Sequence, residues 1–119
     1  MHNFPTQSVV AAHMFNRAAV LGSAAPADTS HAAALARSHG VVGKDGKVNF
    51  AVGTGATITI YVYMRVAQKW LLRDGTITAV ANTIYSVDAP VGCPFFIVAD
   101  SGTPTAWFYD EKHIGENNA

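Results

Sequence analysis

The strongest hydrophobic pattern in the chain lies in residues 56–66, ATITIYVYMRV. Aliphatic side chains occupy every second position of this stretch, at Ile58, Ile60, Val62, Met64 and Val66. The positions between them hold Thr57, Thr59, Tyr61, Tyr63 and Arg65. Alternation with a period of two, in β-branched and aromatic residues, is typical of a strand with one face against a core. We therefore predict a long strand here, which needs partner strands and a second layer to be stable.

Shorter apolar stretches follow one another from Gly40 onward, separated by turn residues. They predict strands at 41–42, 48–52, 70–72, 77–81, 83–87, 94–99 and 105–109. Asp45-Gly46 and Asp74-Gly75 are strong signals for tight turns. Residues 94–99, PFFIVA, are apolar at every position, which indicates a strand covered on both faces. This spacing, with hairpin-length connections, predicts an all-β fold: an antiparallel β-sandwich, jelly-roll or Ig-like in topology.

Residues 1–40 differ from the rest of the chain, since they hold eleven alanines and no long strand pattern. Thr29 or Ser30 is a candidate N-cap for a short helix that runs to Arg37, with Gly40 just past its end. This segment either lies over the sandwich or reaches out to a neighbouring molecule, and we expect the second. The predicted organisation is an extended or partly helical N-terminal arm (1–40), a β-sandwich (41–110) and a polar C-terminal tail (111–119).

The charge content of the chain is low. Half of the residues are hydrophobic, 13% are charged, and the formal net charge is zero. Such a composition suits either a small stable domain or a protein whose surface is covered by other subunits. Because no basic field is present to bind phosphates, we expect no direct nucleic-acid partner. No apolar run is long enough to span a bilayer, so we also expect no membrane partner.

Candidate catalytic and metal-binding motifs are weak throughout the sequence. The histidines, none of them at metal-ligand spacing, are His2, His13, His31, His39 and His113. Several histidines at an assembly contact would make binding sensitive to pH, which we keep as a hypothesis. No G-x-S-x-G nucleophile elbow occurs, and the single Cys93 excludes an internal disulfide framework. We therefore expect no catalytic residue, no metal and no cofactor, and hence a protein that is not an enzyme.

Aromatic side chains are the remaining candidates for a functional surface. Tyr61 and Tyr63 share one face of the long strand, and Trp107 and Tyr109 share one face of the last strand. Such residues are buried by the second sheet, contact a protein neighbour, or stack on sugar rings. The candidate protein-contact residues, including two from the arm, are Phe4, Phe15, Tyr61, Tyr63, Trp107 and Tyr109.

Residues 55–109 resemble small structural proteins of tailed-bacteriophage virions, in particular the capsid decoration, or cement, proteins with β-sandwich folds. The resembling sequences are GTGATITIYVYMRVAQKWLLRDGTITAVANTIYSVDAP and FFIVADSGTPTAWFY. They share a long Thr/Ile/Tyr strand, a Trp-Leu-Leu strand, a V-D-A-P turn and a final strand after S-G-T-P.

The resemblance implies a non-enzymatic virion structural protein on the outer capsid surface, made in the host cytoplasm. Its partner would be the major capsid protein, and it would form a homo-oligomer, a dimer or a trimer. An N-terminal arm that reaches adjacent subunits would suit residues 1–40, so deleting them should weaken capsid attachment and leave the sandwich folded. The alternative is a carbohydrate- or receptor-binding β-sandwich module of a phage tail or fibre. A small secreted lectin is disfavoured because the N-terminal residues lack a convincing signal peptide.

Overall fold

The computed structural model describes residues 17–108 of the 119-residue chain. Two antiparallel sheets pack face to face, and one short helix lies against one of them. The elements in chain order are β1 (Arg17–Val20), α1 (His31–Arg37), β2 (Gly40–Val41), β3 (Lys47–Val52), β4 (Ala56–Met64), β5 (Lys69–Leu72), β6 (Ile77–Ala79), β7 (Tyr85–Asp88), β8 (Pro94–Ala99) and β9 (Thr105–Phe108). The prediction of an all-β antiparallel sandwich is confirmed.

The strand order separates the chain into two layers. The first sheet has the order β1-β9-β3-β7, and the second sheet has the order β2-β8-β4-β5. Strand β6 pairs with the same edge of β4 as β5 does, nearer the N-terminal end of β4. The Asp74-Gly75 turn therefore joins two strands that lie end to end on β4, and the Arg73 N–H between them donates to Ile60 O at 2.8 Å.

Strand β4 is the centre of the second sheet, as its alternation predicts. Ile58, Ile60 and Val62 are at most 3% exposed and face the first sheet. The strand ends at Met64, so the prediction that it continues to Val66 is wrong: Val66 is fully exposed. The alternating pattern continues in the sequence past the end of the strand. There the backbone already reverses, in a turn closed by a hydrogen bond from Gln68 N–H to Arg65 O.

The main core lies between the two sheets. Strand β3 supplies Val48, Phe50 and Val52, which are buried on one face as the sequence predicts. Ile97 from β8 and Phe108 from β9 close the same cluster. Because each fully buried side chain of this kind contributes roughly 1.5–3 kcal/mol, this interior dominates the stability of the fold.

A smaller core lies on the other side of the second sheet, under α1. Ala34 of the helix packs against Tyr63, Trp70 and Phe96. The alternate residues of β8 therefore face two different cores, which confirms the prediction that 94–99 is covered on both faces. The helix is capped as predicted, because Ser30 Oγ accepts a hydrogen bond from Ala33 N–H at 3.3 Å.

The described part of the predicted arm packs against the sandwich. Strand β1 pairs with β9 and completes the first sheet, while α1 covers the second. Leu21 is 2% exposed within the main core. The expectation that residues 1–40 form a separate arm is therefore wrong for residues 17–40. This segment has few apolar side chains, but Leu21 and Ala34 are enough to pack it against the two sheets. Residues 1–16 and the predicted tail, 111–119, lie outside the described residues.

Candidate functional site

The outward face of the first sheet carries Trp107, a partly exposed aromatic side chain among the sequence-predicted contact residues. Strand register places Ala18 of β1, Trp107 of β9 and Ala51 of β3 side by side in one row. Their neighbours in each strand, such as Phe108, point inward to the main core. The row is therefore an indole flanked by one alanine on each adjoining strand.

Small residues around Trp107 let the indole lie close to the sheet. A Cβ atom on Gly53 would lie only 3.2 Å from Trp107 Cη2, so the six-membered ring passes directly over this glycine. Ala51 is 6% exposed, and Trp107 itself is partly exposed. Val20 of the edge strand adds a side chain that is 59% exposed. We call Ala18, Val20, Ala51 and Trp107 the tryptophan strip.

A group of polar side chains lies beside the tryptophan strip on the same sheet face. We call this group the polar cluster, and it comprises Asp45, Lys47, Asn49, Ser86 and Asp88. Lys47 Nζ donates to Asp88 Oδ1 at 2.7 Å. Ser86 Oγ donates to Asn49 Oδ1 at 2.6 Å, and Asn49 Nδ2 donates to Asp45 Oδ2 at 3.2 Å. These bonds hold the cluster in a defined arrangement next to an apolar strip.

The ion pair in the polar cluster shifts both of its titrating groups in the usual directions. The hydrogen bond and charge of Asp88 raise the pKa of Lys47, and Lys47 in turn lowers the pKa of Asp88. Both side chains are open to solvent, where water and salt weaken such a pair. The pair therefore orients two charges on the sheet face and contributes little to stability.

Tyr63 is the one candidate contact residue within 17–108 that the structure buries completely. It is fully buried, its hydroxyl donates to Thr29 O, and its ring meets Trp70 edge-on at 5.4 Å. His31 of the helix lies 6.0 Å from the same ring. Tyr63 therefore offers no surface to a neighbour, because α1 and the loop before it cover this side of the second sheet.

The other predicted contact residues are not brought together. Tyr61 is partly buried on the outer side of the second sheet, at the border of the smaller core, while Trp107 is on the first sheet. The two aromatics thus belong to opposite layers of the sandwich. Phe4, Phe15 and Tyr109 lie outside the described residues.

Sequence reasoning missed the role of one histidine. His39 is 7% exposed, and both of its ring nitrogens have hydrogen-bond partners in different sheets. The sequence treats it only as one of several scattered imidazoles. Its position just after the helix and before the first strand of the second sheet is the one local signal that could have indicated a burial site.

Two features do not occur in the described residues. Across residues 17–108, no three or more His, Cys, Asp or Glu side chains gather where they could hold a metal ion. In the same range, no helix is long and apolar enough to cross a membrane. We take the tryptophan strip and the adjoining polar cluster, which strand register and hydrogen bonds define, as the candidate functional surface.

The function has to be inferred from the molecule itself, because comparison with known proteins finds no match. The chain matches no family model, no curated protein and no solved structure. We therefore base the assignment of function on the fold, on the outer face of the first sheet and on the sequence resemblance given above.

Proposed function

We propose that this chain is a non-enzymatic structural protein of a tailed-bacteriophage virion, a capsid decoration protein that binds and stabilises neighbouring major capsid protein subunits. It would attach to the outer capsid surface as a dimer or trimer, through the outward face of its first sheet. The observation that carries the proposal is the tryptophan strip, in which Trp107 lies between Ala18 and Ala51 on a sheet face that α1 does not cover. The resemblance of residues 55–109 to decoration proteins supports the same assignment.

A small protein gains affinity for a shell from a few well-packed anchor residues and from repetition of the contact. Trp is a favoured anchor at protein interfaces because it buries a large apolar area and pays little conformational entropy. A specific interface of ordinary size buries about 800 Å² on each partner. A sheet face with an apolar strip and a polar border has the composition of such an interface. Many copies on a symmetric shell multiply a modest contact energy.

The test is binding of purified protein to empty expanded capsids, measured by co-sedimentation. Trp107→Ala should weaken binding by about 30-fold or more, since interface anchors of this type contribute at least about 2 kcal/mol. Leu72→Ala is the matched control, because Leu72 is 60% exposed on the second sheet. It should bind as the wild type does. Equal binding by Trp107→Ala and wild type, with both chains folded, would refute the proposed face.

A second candidate function is carbohydrate or receptor binding in a phage tail or fibre. The observation that favours it is the polar cluster beside Trp107, since sugar rings stack on indoles while neighbouring amides and carboxylates bind their hydroxyls. Glycan-array binding by the purified protein separates the two functions. Glycan binding that Asn49→Ala abolishes, without binding to capsids, would favour the second function and refute the first.

A further inference from the structure

His39 is a buried residue whose ring contacts both sheets. It follows α1, precedes β2, and is 7% exposed. Its backbone N–H donates to Phe95 O at 2.8 Å, which fixes the residue against the edge of β8. Its ring is therefore placed by the same backbone pairing that starts the second sheet.

The two ring nitrogens of His39 bind groups from different sheets. The backbone N–H of Ile97, in β8, donates to His39 Nδ1 at 2.9 Å. Because Nδ1 accepts, the ring hydrogen must be on Nε2, which then donates to Val20 O at 3.1 Å. Val20 belongs to β1 of the first sheet. The neutral imidazole thus connects the two layers of the sandwich.

The ring completes an edge that β2 is too short to cover. Strand β2 has two residues, and its pairing with β8 stops at Phe95. Beyond it, His39 takes the Ile97 N–H, while Gly22 N–H donates to Ile97 O and Ala99 N–H donates to Gly22 O, both at 3.0 Å. The segment that follows β1, Leu21-Gly22, and the His39 side chain together close this edge of β8.

The surroundings of the ring favour its neutral form. Phe96 and Phe108 stack against it, with centroid distances of 4.4 and 5.9 Å. Within residues 17–108, the charged groups on the packed elements are Arg17 of β1, which lies over the Phe108 ring, and Arg37 of α1, which lies over the Phe96 ring. The other titratable group of α1, His31, lies beside Tyr63. Strands β2, β8 and β9 carry no ionisable side chain.

We propose that His39 is a pH-sensitive latch, which holds the segment after β1 against β8 while its ring is neutral and releases that edge when the ring is protonated. A protonated imidazole donates from both nitrogens, so Nδ1–H would face the Ile97 N–H across 2.9 Å. Rotating the ring does not help, because either nitrogen then presents a donor. The latch goes beyond the proposed function and does not depend on it.

The pKa of His39 supports this mechanism. Burial lowers it, the hydrogen bond to Val20 O opposes this effect in part, and the charge of Arg17 lowers it further. The ordinary value, which applies to the unfolded chain, is about 6.5. Because the folded value is lower, the closed edge has its full stability above about pH 6.5 and loses stability as the pH falls below it.

The test is amide hydrogen exchange on the full chain at about pH 7.5 and about pH 5, expressed as protection factors that remove the intrinsic effect of pH. We expect the protection of Ile97 and Ala99 to fall about tenfold more at the lower pH than that of Tyr61, whose backbone pairs with Phe96 on the other edge of β8. His39→Asn keeps an acceptor near the Nδ1 position and cannot titrate, so the extra loss should disappear. His31→Gln, the control on α1, should behave as the wild type.

A second measurement keeps the proposal falsifiable if His39→Asn does not fold. Long-range proton–nitrogen correlation spectra of the wild type should show the Nε2–H tautomer of His39 at about pH 7.5, and protonation should coincide with the loss of Ile97 protection. The latch is overturned if the ring carries its hydrogen on Nδ1. It is also overturned if the ring becomes protonated while Ile97 and Ala99 lose no more protection than Tyr61 does.

Discussion

Replacing Tyr63 by Phe tests whether residues 17–40 are part of the folded sandwich. The Tyr63 ring stays in place, but its hydroxyl no longer donates to Thr29 O in the loop that leads into α1. A buried hydrogen bond of this kind contributes about 1 kcal/mol net. Within residues 17–108, the Thr29 carbonyl has no other hydrogen-bond partner. The melting temperature should then fall by about 4 °C in a chain of this length.

Tyr61→Phe provides the matched control for this substitution. Tyr61 is on the same strand and the same sheet face, and it is partly exposed. Thermal unfolding followed by circular dichroism should show a change of less than about 0.5 kcal/mol for Tyr61→Phe, as is usual for surface substitutions. Hydrogen exchange of the α1 amides should rise in Tyr63→Phe and not in the control. Identical melting and exchange in the two variants would refute the packing of this loop on the second sheet.

Two further substitutions test the packing of the helix and the polar cluster. Ala34→Leu should destabilise the chain by roughly 1–3 kcal/mol in chemical unfolding, because Ala34 is fully buried against Tyr63 and a larger side chain would overpack this contact. An unchanged free energy of unfolding would contradict the close packing of α1 on the second sheet. Lys47→Ala should raise the pKa of Asp88 toward its ordinary value, because Lys47 lowers it in the wild type. The small contribution of the Asp88 carboxylate to the stability of the fold is present above about pH 4 and is lost as the pH falls. Carbon-detected NMR titration of Asp88 measures this shift, and an unchanged titration would contradict the ion pair.

Local alternation was sufficient to predict the strands that form the main core. Phe50 and Ile60 are on the buried faces that the period-two pattern assigns to them, and the Ser30 cap marks the start of α1. These features depend on neighbours within a few positions of the chain, which is the range over which sequence patterns carry information.

The candidate surface and the packing of α1 depend on contacts that no local pattern contains. Trp107 lies between alanines that are about 90 and 55 positions away in sequence, Ala18 and Ala51, and only strand register brings them together. Tyr63 looks like an exposed residue by alternation, and becomes buried because Ala34 lets the helix approach closely. The role of His39 likewise depends on the distant Val20 and Ile97.

The fold also changes the deletion experiment that the sequence suggests. Removing residues 1–40 would take away β1, Leu21 and α1, and with them part of both cores. Such a variant should unfold, so its failure to bind a capsid would say nothing about an arm. Removal of residues 1–16 is the informative deletion, because it leaves all described elements in the chain.

Electron cryo-microscopy of the native particle tests the central claim most directly, because it locates the protein and the sheet face that it presents. The account predicts density for the sandwich on the outside of the capsid, with Trp107 and Val20 against the major capsid protein. Density in which the second sheet and α1 face the shell, or a particle whose capsid carries no copy of this chain, would contradict it.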